Sequence, residues 1–525
     1  MFEDLDDAAV VAVIEAQARA EAVAGAARLA AIAELAARRG VNDDEEARRK
    51  WVVDPWAATA AEVGAVLGIG PRAASREMRI GLALREHLPA VARLYAAGEV
   101  SSRVVSMVTW RTRLVDDAAV WAGIDAAVAE KVAGWGRLSA SRLERAVDAV
   151  IERFDPVAVV RAQIAARDRD VVVGASGDAA VTTSVWGRLL ASDAELLRRR
   201  LAVMAGGVCD SDPRTAKQRR ADALGALAAG SWVLACQCGL TDCPAAKRDD
   251  AAAQNVVVHI LANHAALAAA QADAAKAKAA QAKERSATAP QSNSSPPAPG
   301  SAISAGAALS GDGPYSVAGA MCPDGVAMMI GGGVVPTPLL AALLARGAKV
   351  VEITRPGEEP EPQYRPSAKL ARFVRMRDMT CRFPGCDRPA QYADLDHTIA
   401  YPDGPTHPSN LDAKCREHHL LKTFWTGENG WSVAQAPDGT VSWTTPTGRK
   451  ITTKPGSALH FPECDTTTAA LGPPPEHVRT PGPQRALKMP TRRRTRAAAR
   501  TNRIRAERAR NHAYLTQRER PPPTG

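Results

Sequence analysis

The sequence predicts a mainly α-helical N-terminal domain and a small α+β domain nearer the C-terminus. Apolar residues recur at helical spacing in the first part, for example at Val10, Ile14 and Ala18, which is the pattern of a helix with one buried face. Four of the ten histidines and three of the nine cysteines fall between Met379 and Lys422, so this short stretch has a different kind of structure. A segment rich in Ala, Ser and Pro lies between the two parts and predicts a linker.

These changes in composition divide the chain into five segments. They are an α-rich domain (1–264), a flexible linker (265–313), a small α/β connector (314–365), a Cys- and His-containing α+β domain (366–465) and a basic disordered tail (466–525). Within the connector, residues 336–347 predict a helix and residues 350–354 predict a strand.

The α-rich domain begins with a long predicted helix over residues 5–39, and a pair of shorter helices follows. Thr59 and Glu62 have the spacing of a capping box, and Pro71 suits the first position of the next helix. One face of that helix carries Arg72, Arg76 and Arg79. Two interpretations remain open: a helix-turn-helix that reads DNA, or an ordinary helical hairpin with a solvated basic face.

Two pairs of metal-ligand residues bracket the Cys- and His-containing stretch. Cys381 and Cys386 form the first pair, and Cys415 and His418 form the second. Structural zinc usually takes four such donors as two tight pairs, and the Pro-Gly dipeptide inside the first pair predicts the sharp turn this requires. The spacing therefore predicts a structural zinc site, and the alternative is three buried free cysteines beside a helix-end histidine.

A second set of polar residues lies between the two brackets. Alternation around Leu395 predicts a short strand that ends with Asp396 and His397. A loop rich in Pro and Gly then leads to Asn410, and a short helix is predicted from about residue 415. On that helix His419 lies about 100° around the axis from its neighbour, so it is available for a different role.

This order of strand, Asp-His, loop, Asn and His-bearing helix resembles the zinc-knuckle variant of the HNH nucleases, whose fold is the ββα-metal architecture. The resemblance implies that His397 is the general base and that Asn410 fixes the loop behind it. It implies that Asp396 and His419 hold one catalytic divalent ion. The zinc ligands it implies are Cys381, Cys386, Cys415 and His418. The usual second knuckle has a cysteine where His418 stands, so His418 and His419 are both open as the fourth ligand.

The resemblance implies a metal-dependent endonuclease that hydrolyses DNA phosphodiesters. A carboxylate and an imidazole suit Mg²⁺, Mn²⁺, Ni²⁺ or Zn²⁺, and Mg²⁺ is the first expectation. An imidazole with a pKa near ~6.5 can accept a proton from water at neutral pH. The competing interpretation is a zinc-stabilised DNA-binding or regulatory protein of a mobile element that has no turnover.

A further cysteine cluster lies at the end of the α-rich domain. Cys236, Cys238 and Cys243 fall within eight residues, which provides three of the four ligands of a second zinc site. The sequence offers Cys209, His259 or His264 as the fourth ligand, and a reduced surface turn is the alternative. Stretches such as the one at 220–224 also resemble the uncharacterised helical domain that precedes HNH domains in an actinobacterial repeat family.

The charge distribution points to a polyanionic partner. The chain has a formal net charge of +10, and residues 479–525 alone hold fourteen Lys and Arg against two Glu. We expect the tail to be a disordered or transiently helical arm that contacts DNA phosphates, or to act as a solubility arm. Inside the α+β domain, the expected phosphate contacts are Lys422, Arg372, Arg375 and Arg377. The acidic N-terminus and the Gly- and Pro-interrupted apolar run at 325–345 predict a cytoplasmic protein without a membrane partner.

Overall fold

The chain folds into two compact units in a computed structural model. The structure describes residues 2–40, 48–159, 170–174, 184–240, 242–247, 259–287, 325–330, 333–345, 348–427, 429–472 and 488–519. The first unit combines residues 1–168, 353–459 and 464–525, and the second combines residues 169–352 and 460–463. The predicted division after residue 264 differs from this, because the first 168 residues belong with the Cys- and His-containing domain.

Seven helices form the N-terminal part of the first unit. They are α1 (Asp7–Gly40), α2 (Pro55–Leu67), α3 (Pro71–Glu86), α4 (Pro89–Ala96), α5 (Ser102–Arg111), α6 (Ala118–Val132) and α7 (Ala140–Phe154). Their apolar faces enclose one core, in which Val104, Ile124 and Leu143 have no exposed surface. Helix α1 confirms the long helix that the apolar spacing predicts.

Helix α2 begins earlier than the predicted capping box. Asp54 is its N-cap and accepts a hydrogen bond from the backbone N–H of Ala57 at 2.8 Å, and Pro55 takes the first helical position. The prediction of Thr59 as the cap was wrong, because Thr59 and Glu62 are buried inside the helix. Helix α3 does begin at Pro71, and its three arginines are exposed.

The described residues of the second unit contain two antiparallel strand pairs and two pairs of helices. Its elements are β1 (Asp170–Val173), β2 (Val185–Arg188), α8 (Ala191–Gly206), α9 (Ala216–Ala228), β3 (Ile260–Ala262), α10 (His264–Ala287), β4 (Ala327–Met329) and α11 (Thr337–Ala345). Strand β1 pairs antiparallel with β2, and β3 pairs antiparallel with β4. Helix α11 confirms the helix predicted for the connector.

The predicted linker at 265–313 is wrong in its first half, where α10 forms. Ala266 and Ala270 of α10 are buried in one core with Leu340 and Ala341 of α11, so the Ala-rich composition here serves close helix packing. The rest of the predicted linker, from residue 288, lies outside the described residues. The strand predicted at 350–354 is absent from the described chain, where this segment has no ladder partner.

The remaining elements return to the first unit. They are α12 (Ala368–Asp378), β5 (Asp394–His397), β6 (Leu411–Lys414), α13 (Arg416–Phe424), β7 (Ser432–Gln435), β8 (Val441–Thr444), β9 (Lys450–Thr453), α14 (Gly456–His460) and α15 (Arg496–Glu519). Strands β5 and β6 form an antiparallel pair, and β7, β8 and β9 form an antiparallel sheet in that order. The chain is thus mainly helical with small antiparallel sheets, and none of its described helices has the length and apolar character needed to cross a membrane.

The N-terminal helices share a core with the Cys- and His-containing domain. Trp51, Val53 and Ala61 are buried together with Phe383 and Trp443. The indole N–H of Trp425 donates to the backbone carbonyl of Val53 at 2.9 Å. These contacts join segments more than three hundred residues apart, which explains why the two parts form one compact unit.

The prediction of a free, disordered or transiently helical arm was wrong for residues 496–519, because they form helix α15, which is docked on α1–α7. Its Arg496 binds the Asp54 carboxylate at 2.9 and 3.0 Å. Further along, Arg508 pairs with Asp155 at 2.6 Å, and the amide of Asn511 donates to the carbonyl of Val159 at 2.9 Å. One face of the basic helix is therefore used for folding. Residues 473–487 and 520–525 of the predicted tail lie outside the described residues.

Candidate metal centre and active site

Strands β5 and β6 and helix α13 form one strand–strand–helix arrangement that positions the site. His397, the last residue of β5, lies opposite Leu411 in the antiparallel register, and Asp396 lies opposite Asp412. Cys415 is the N-cap of α13. The predicted strand, loop and helix are therefore present. Their arrangement places the polar residues of β5 beside the first turns of α13.

Cys381, Cys386, Cys415 and His418 form a buried four-ligand group. Their ligand atoms all lie within 4.8 Å of one another, and Nδ1 of His418 is 3.4 and 3.3 Å from the sulfurs of Cys381 and Cys415. The backbone N–H of Cys415 points at the sulfur of Cys381 at 3.3 Å. Three thiols and one imidazole nitrogen at this separation can hold one metal ion. Burial raises the pKa of the Cys381 thiol well above its usual value, so a bound cation would supply the charge that stabilises a thiolate here.

The turn inside the first cysteine pair is pressed against the N-terminal helices. Gly385 has a φ of +72°, a conformation that favours glycine, and a Cβ at this position would lie 2.8 Å from the carbonyl oxygen of Ile69. Phe383 stacks on the His418 ring at 3.8 Å between centroids. The ring that offers a ligand is thus held in a fixed plane by the shared core.

The Asp396 carboxylate presents its two oxygens to different partners. Oδ1 faces Nε2 of His419 at 3.5 Å, while Oδ2 faces the ammonium groups of Lys422 at 2.9 Å and Lys414 at 3.3 Å. Burial alone would raise the pKa of Asp396, but Lys414, Lys422 and His419 outweigh it and lower that pKa to about 2. The carboxylate is therefore ionised, with Oδ1 directed toward His419.

His419 is oriented by Asp394, a residue that the sequence reasoning missed. Nδ1 of His419 lies 2.8 Å from Oδ2 of Asp394, so this carboxylate favours the tautomer with the proton on Nδ1. The lone pair on Nε2 then faces Asp396. Asp394 and Asp396 are two residues apart on β5 and lie on one face of the strand. The two-residue spacing of these aspartates was the sequence signal that could have identified Asp394 as a second residue of the site.

His397 is held by a chain of two hydrogen bonds that the sequence reasoning also missed. Thr406 donates its hydroxyl hydrogen to the carbonyl of Tyr364 at 3.4 Å, so its oxygen accepts from Nε2–H of His397 at 2.9 Å. In this arrangement Nδ1 of His397 is unprotonated, and its lone pair is available to accept a proton. The Tyr364 ring stacks on the imidazole at 5.3 Å. Burial lowers the pKa of His397, which favours the neutral ring.

Asn410 closes the loop between β5 and β6 on itself. Its side-chain oxygen accepts from the backbone N–H of Ile399 at 2.8 Å, and its amide donates to the carbonyls of Ile399 and Pro405 at 3.0 and 2.9 Å. A Cβ at Gly404 would lie 2.6 Å from the Asn410 amide nitrogen. The loop that contains Thr406 is therefore braced by Asn410.

Two of the four predicted phosphate contacts are engaged inside the protein. Arg377 has no exposed surface and donates to Asp378 at 2.8 Å and to the carbonyls of Pro408 and Leu411, both at 2.7 Å. Its assignment to nucleic-acid binding was wrong, because every bond it makes here supports the loop and β6. Lys422 is mostly buried and bonds to Asp396 and to the carbonyl of His397. Arg372 is exposed and Arg375 is half-buried.

Comparison with known proteins places the N-terminal half of this chain in a family. The sequence pattern described as Domain of unknown function (DUF222) matches residues 16–285, which is half of the chain. The chain belongs to the DUF222 family. The DUF222 match runs from α1 into α10, so the Asp396 and His397 site lies beyond its end.

Several mycobacterial relatives extend the similarity over the whole chain. The Uncharacterized protein Rv3776 of Mycobacterium tuberculosis is 49% identical over all of this chain and 93% of its own length. The Uncharacterized protein Rv2100 of the same species is 49% identical over 98% of this chain and 90% of its own length. No solved structure matches the chain.

The DUF222 region contains the second cysteine group. The sulfurs of Cys209, Cys236, Cys238 and Cys243 all lie within 4.8 Å of one another, so the fourth member is Cys209. His259 and His264, the other two residues offered by the sequence, are exposed and lie outside the group. Four cysteines at this separation can hold a metal ion.

Proposed function

We propose that this protein is a metal-dependent HNH endonuclease that hydrolyses DNA phosphodiester bonds. The observation that carries the proposal is the grouping of His397, Asp396 and His419 at one end of the strand–strand–helix arrangement, with Asn410 bracing the loop behind them. A structural module would have no need of an oriented neutral imidazole beside an ionised carboxylate. Zinc bound by Cys381, Cys386, Cys415 and His418 would hold this arrangement rigid.

His397 is the proposed general base. Its Nε2–H is bound to Thr406, so Nδ1 accepts the proton of the attacking water in this proposal. The lowered pKa of His397 keeps the ring unprotonated at neutral pH. Tyr364 and the loop braced by Asn410 limit the rotation of the imidazole, which keeps Nδ1 in one orientation relative to the phosphate.

Asp396 and His419 are the proposed ligands of the catalytic ion. Their facing atoms are 3.5 Å apart, a separation compatible with two ligands that each lie about 2.1 Å from one cation. A divalent ion held there would neutralise the charge that develops on the phosphate and on the leaving oxygen. Mg²⁺ is the first candidate, and Mn²⁺, Ni²⁺ and Zn²⁺ also suit one carboxylate and one imidazole.

The DNA-binding surface in this proposal combines α3 and α15. Burial and the nearby charges of Arg496, Arg500 and Arg503 lower the pKa of Arg79, so arginines of α15 lie close to the exposed basic face of α3. A set of like charges in one place is favourable when a phosphate backbone neutralises it. Arg372 on α12 is a further exposed cation of the first unit.

One observation favours the non-catalytic alternative, a zinc-stabilised DNA-binding or regulatory protein. Lys422 and Lys414 already neutralise Asp396, which lowers the attraction of this carboxylate for a cation. The lysines face Oδ2, however, and leave Oδ1 directed at His419. The endonuclease is therefore the stronger proposal.

A plasmid-cleavage assay on the full chain tests the proposal. We expect nicked or linear DNA with Mg²⁺ or Mn²⁺, no cleavage with chelator, and no cleavage by His397→Ala. His264→Ala, which alters an exposed histidine of α10, is the matched control and should cleave as the wild type does. DNA binding by anisotropy without cleavage under any of the four metals would support the alternative instead.

A further inference from the structure

We propose that Cys209, Cys236, Cys238 and Cys243 bind a second structural zinc ion, which ties the end of α8 to the loop after α9. The site is separate from the four-ligand group at Cys381, and the inference does not depend on nuclease activity. Its four ligands come from two segments of the second unit. Cys209 is the third residue after the end of α8, and the other three cysteines lie in the loop at 231–247.

The geometry of the sulfurs indicates a single ion. All four lie within 4.8 Å of one another, and the sulfurs of Cys209 and Cys236 are 3.4 Å apart. Thiolates that share one tetrahedral ion have this proximity, whereas the ligands of an iron–sulfur cluster are spread over several iron atoms. Four soft donors without a carboxylate or water favour zinc over the hard cations Mg²⁺ and Ca²⁺.

The backbone around the cluster is arranged as it is around bound thiolates. The backbone N–H groups of Ser211 and Ala246 lie close to the sulfurs of Cys209 and Cys243, and that of Ala246 also donates to the carbonyl of Cys243 at 3.1 Å. Such amides reduce the charge on a coordinating sulfur and orient it. Gly239, which follows Cys238, has a φ of +72° and makes the tight turn that returns the chain toward Cys243.

A buried ion pair supports the cluster from behind. The Asp212 side chain has no exposed surface and pairs with Arg214 at 2.7 Å. The same carboxylate accepts from the backbone N–H of Gln237 at 3.0 Å, between two of the cysteines, and Arg214 donates to the carbonyl of Ala235 at 2.7 Å. Both ligand-bearing segments are thus held in register by one pair of side chains, which is the outer shell that a metal site requires.

The loop has too little apolar core to explain its order without a metal. Its described residues form neither helix nor strand, and the core beneath it consists mainly of small side chains. The buried members are Met204, Val208, Ala223, Ala226, Leu234, Cys236, Cys243 and Ala245. In a small core of this kind a bound metal supplies the missing stabilisation.

The first test is the metal content of the full chain, purified under reducing conditions without chelator. We expect two zinc ions per chain, and one in Cys209→Ser and in Cys238→Ser. His264→Ala and Cys464→Ser are the matched controls and should retain two. Two zinc ions in Cys209→Ser, or iron in place of zinc in the wild type, would overturn the proposal.

The two cysteine groups can be separated by the same measurement. A wild-type chain with one zinc that Cys381→Ser removes would also overturn this site. One zinc that Cys209→Ser removes would support it and would count against zinc at Cys381.

Alkylation of the wild type provides a test that needs no variant to fold. Cys209 and Cys238 are half-buried and Cys464 is exposed, so all three have some access to iodoacetamide. We expect Cys464 to react in all conditions, and Cys209 and Cys238 to react only after chelator is added. Equal labelling of these two with and without chelator, or their recovery in a disulfide, would contradict a zinc site.

Discussion

Oδ2 of Asp394 and Nδ1 of His419 lie 2.8 Å apart, which fixes the imidazole that faces Asp396. The pair joins the first residue of β5 to the second turn of α13, so strand and helix are coupled directly at the candidate catalytic ion. A carboxylate behind a ligating histidine commonly sets both its tautomer and its basicity. Asp394 is therefore a positioning residue in the proposed mechanism.

Asp394→Asn is expected to weaken the apparent affinity for the activating metal about 10–100-fold. The amide cannot accept the Nδ1 proton with the same strength, so the Nε2 lone pair of His419 is less well directed. The measurement is DNA cleavage against Mn²⁺ concentration. Glu417→Gln, which alters an exposed ion pair on the same helix, is the control. Equal metal dependence of Asp394→Asn and the wild type would remove Asp394 from this role.

Thr406→Val is expected to lower kcat about tenfold with little change in KM, because Nε2–H of His397 loses its acceptor while the DNA surface is untouched. The loss should be smaller than the roughly 10²–10⁴-fold contribution of the base itself. Thr406→Ser keeps the hydroxyl and should restore kcat. Similar kcat values for the Val and Ser variants would show that the hydroxyl does not orient the base.

Arg377→Met and Arg372→Gln should separate folding from DNA binding. Removing the buried guanidinium takes the nearest positive charge from the buried Asp378 carboxylate, although Ala413 and Gln435 still donate to Asp378 and to the two carbonyls. Urea unfolding should therefore show a loss of about 3–5 kcal/mol. Arg372 is exposed, and its replacement should change stability by less than about 0.5 kcal/mol while weakening DNA binding. A stable Arg377→Met variant with weakened DNA binding would restore the original assignment.

Removing metal from the Cys381 group should unfold the core that this group shares with the N-terminal helices, as well as inactivating the protein. Phe383 and Trp443 pack around these ligands together with Trp51, and the metal supplies much of the folding free energy at such sites. Tryptophan fluorescence during chelator titration is the measurement, with re-addition of zinc as the control. Lost cleavage with unchanged fluorescence would contradict a structural role.

Truncation after Pro475 should destabilise the first unit, since it removes the contacts of Arg496, Arg508 and Asn511. Replacing the exposed residues Arg503, Arg505 and Arg510 with Gln should leave the unfolding midpoint unchanged. If these three contact phosphates, the log–log salt slope of DNA binding should fall by about 3. An unchanged slope would indicate that this face of α15 does not meet DNA.

The candidate metal-ligand residues of the α+β domain could be found from the sequence because they are close together in the chain. Cys381, Cys386, Cys415 and His418 lie within forty residues, and ligand chemistry restricts both their type and spacing. The alternation that ends at His397 likewise predicted β5. The choice between His418 and His419 needed the structure, since both spacings suit zinc. The orientation of α13 decides which of the two rings faces the cysteines.

Cys209 could not be assigned from the sequence for a related reason. Twenty-six residues separate it from Cys236, and spacing over that distance carries little information about proximity. Burial of Arg377 was equally hidden, because its neighbours Arg372 and Arg375 are at least partly exposed and the carbonyls that bind it belong to another segment.

The sequence by itself determined the long helix α1, the start of α3, the strand–loop–helix order from β5 to α13 and the candidate donors at Cys381–His418. Tertiary structure decided which parts share a core and what the basic tail does. An apolar period shows that a face is buried but does not name the surface that covers it. A count of charges likewise does not show which acidic residues lie near the basic ones in the fold. Asp54 and Asp155 form ion pairs with arginines of the basic tail and so dock part of it as a helix.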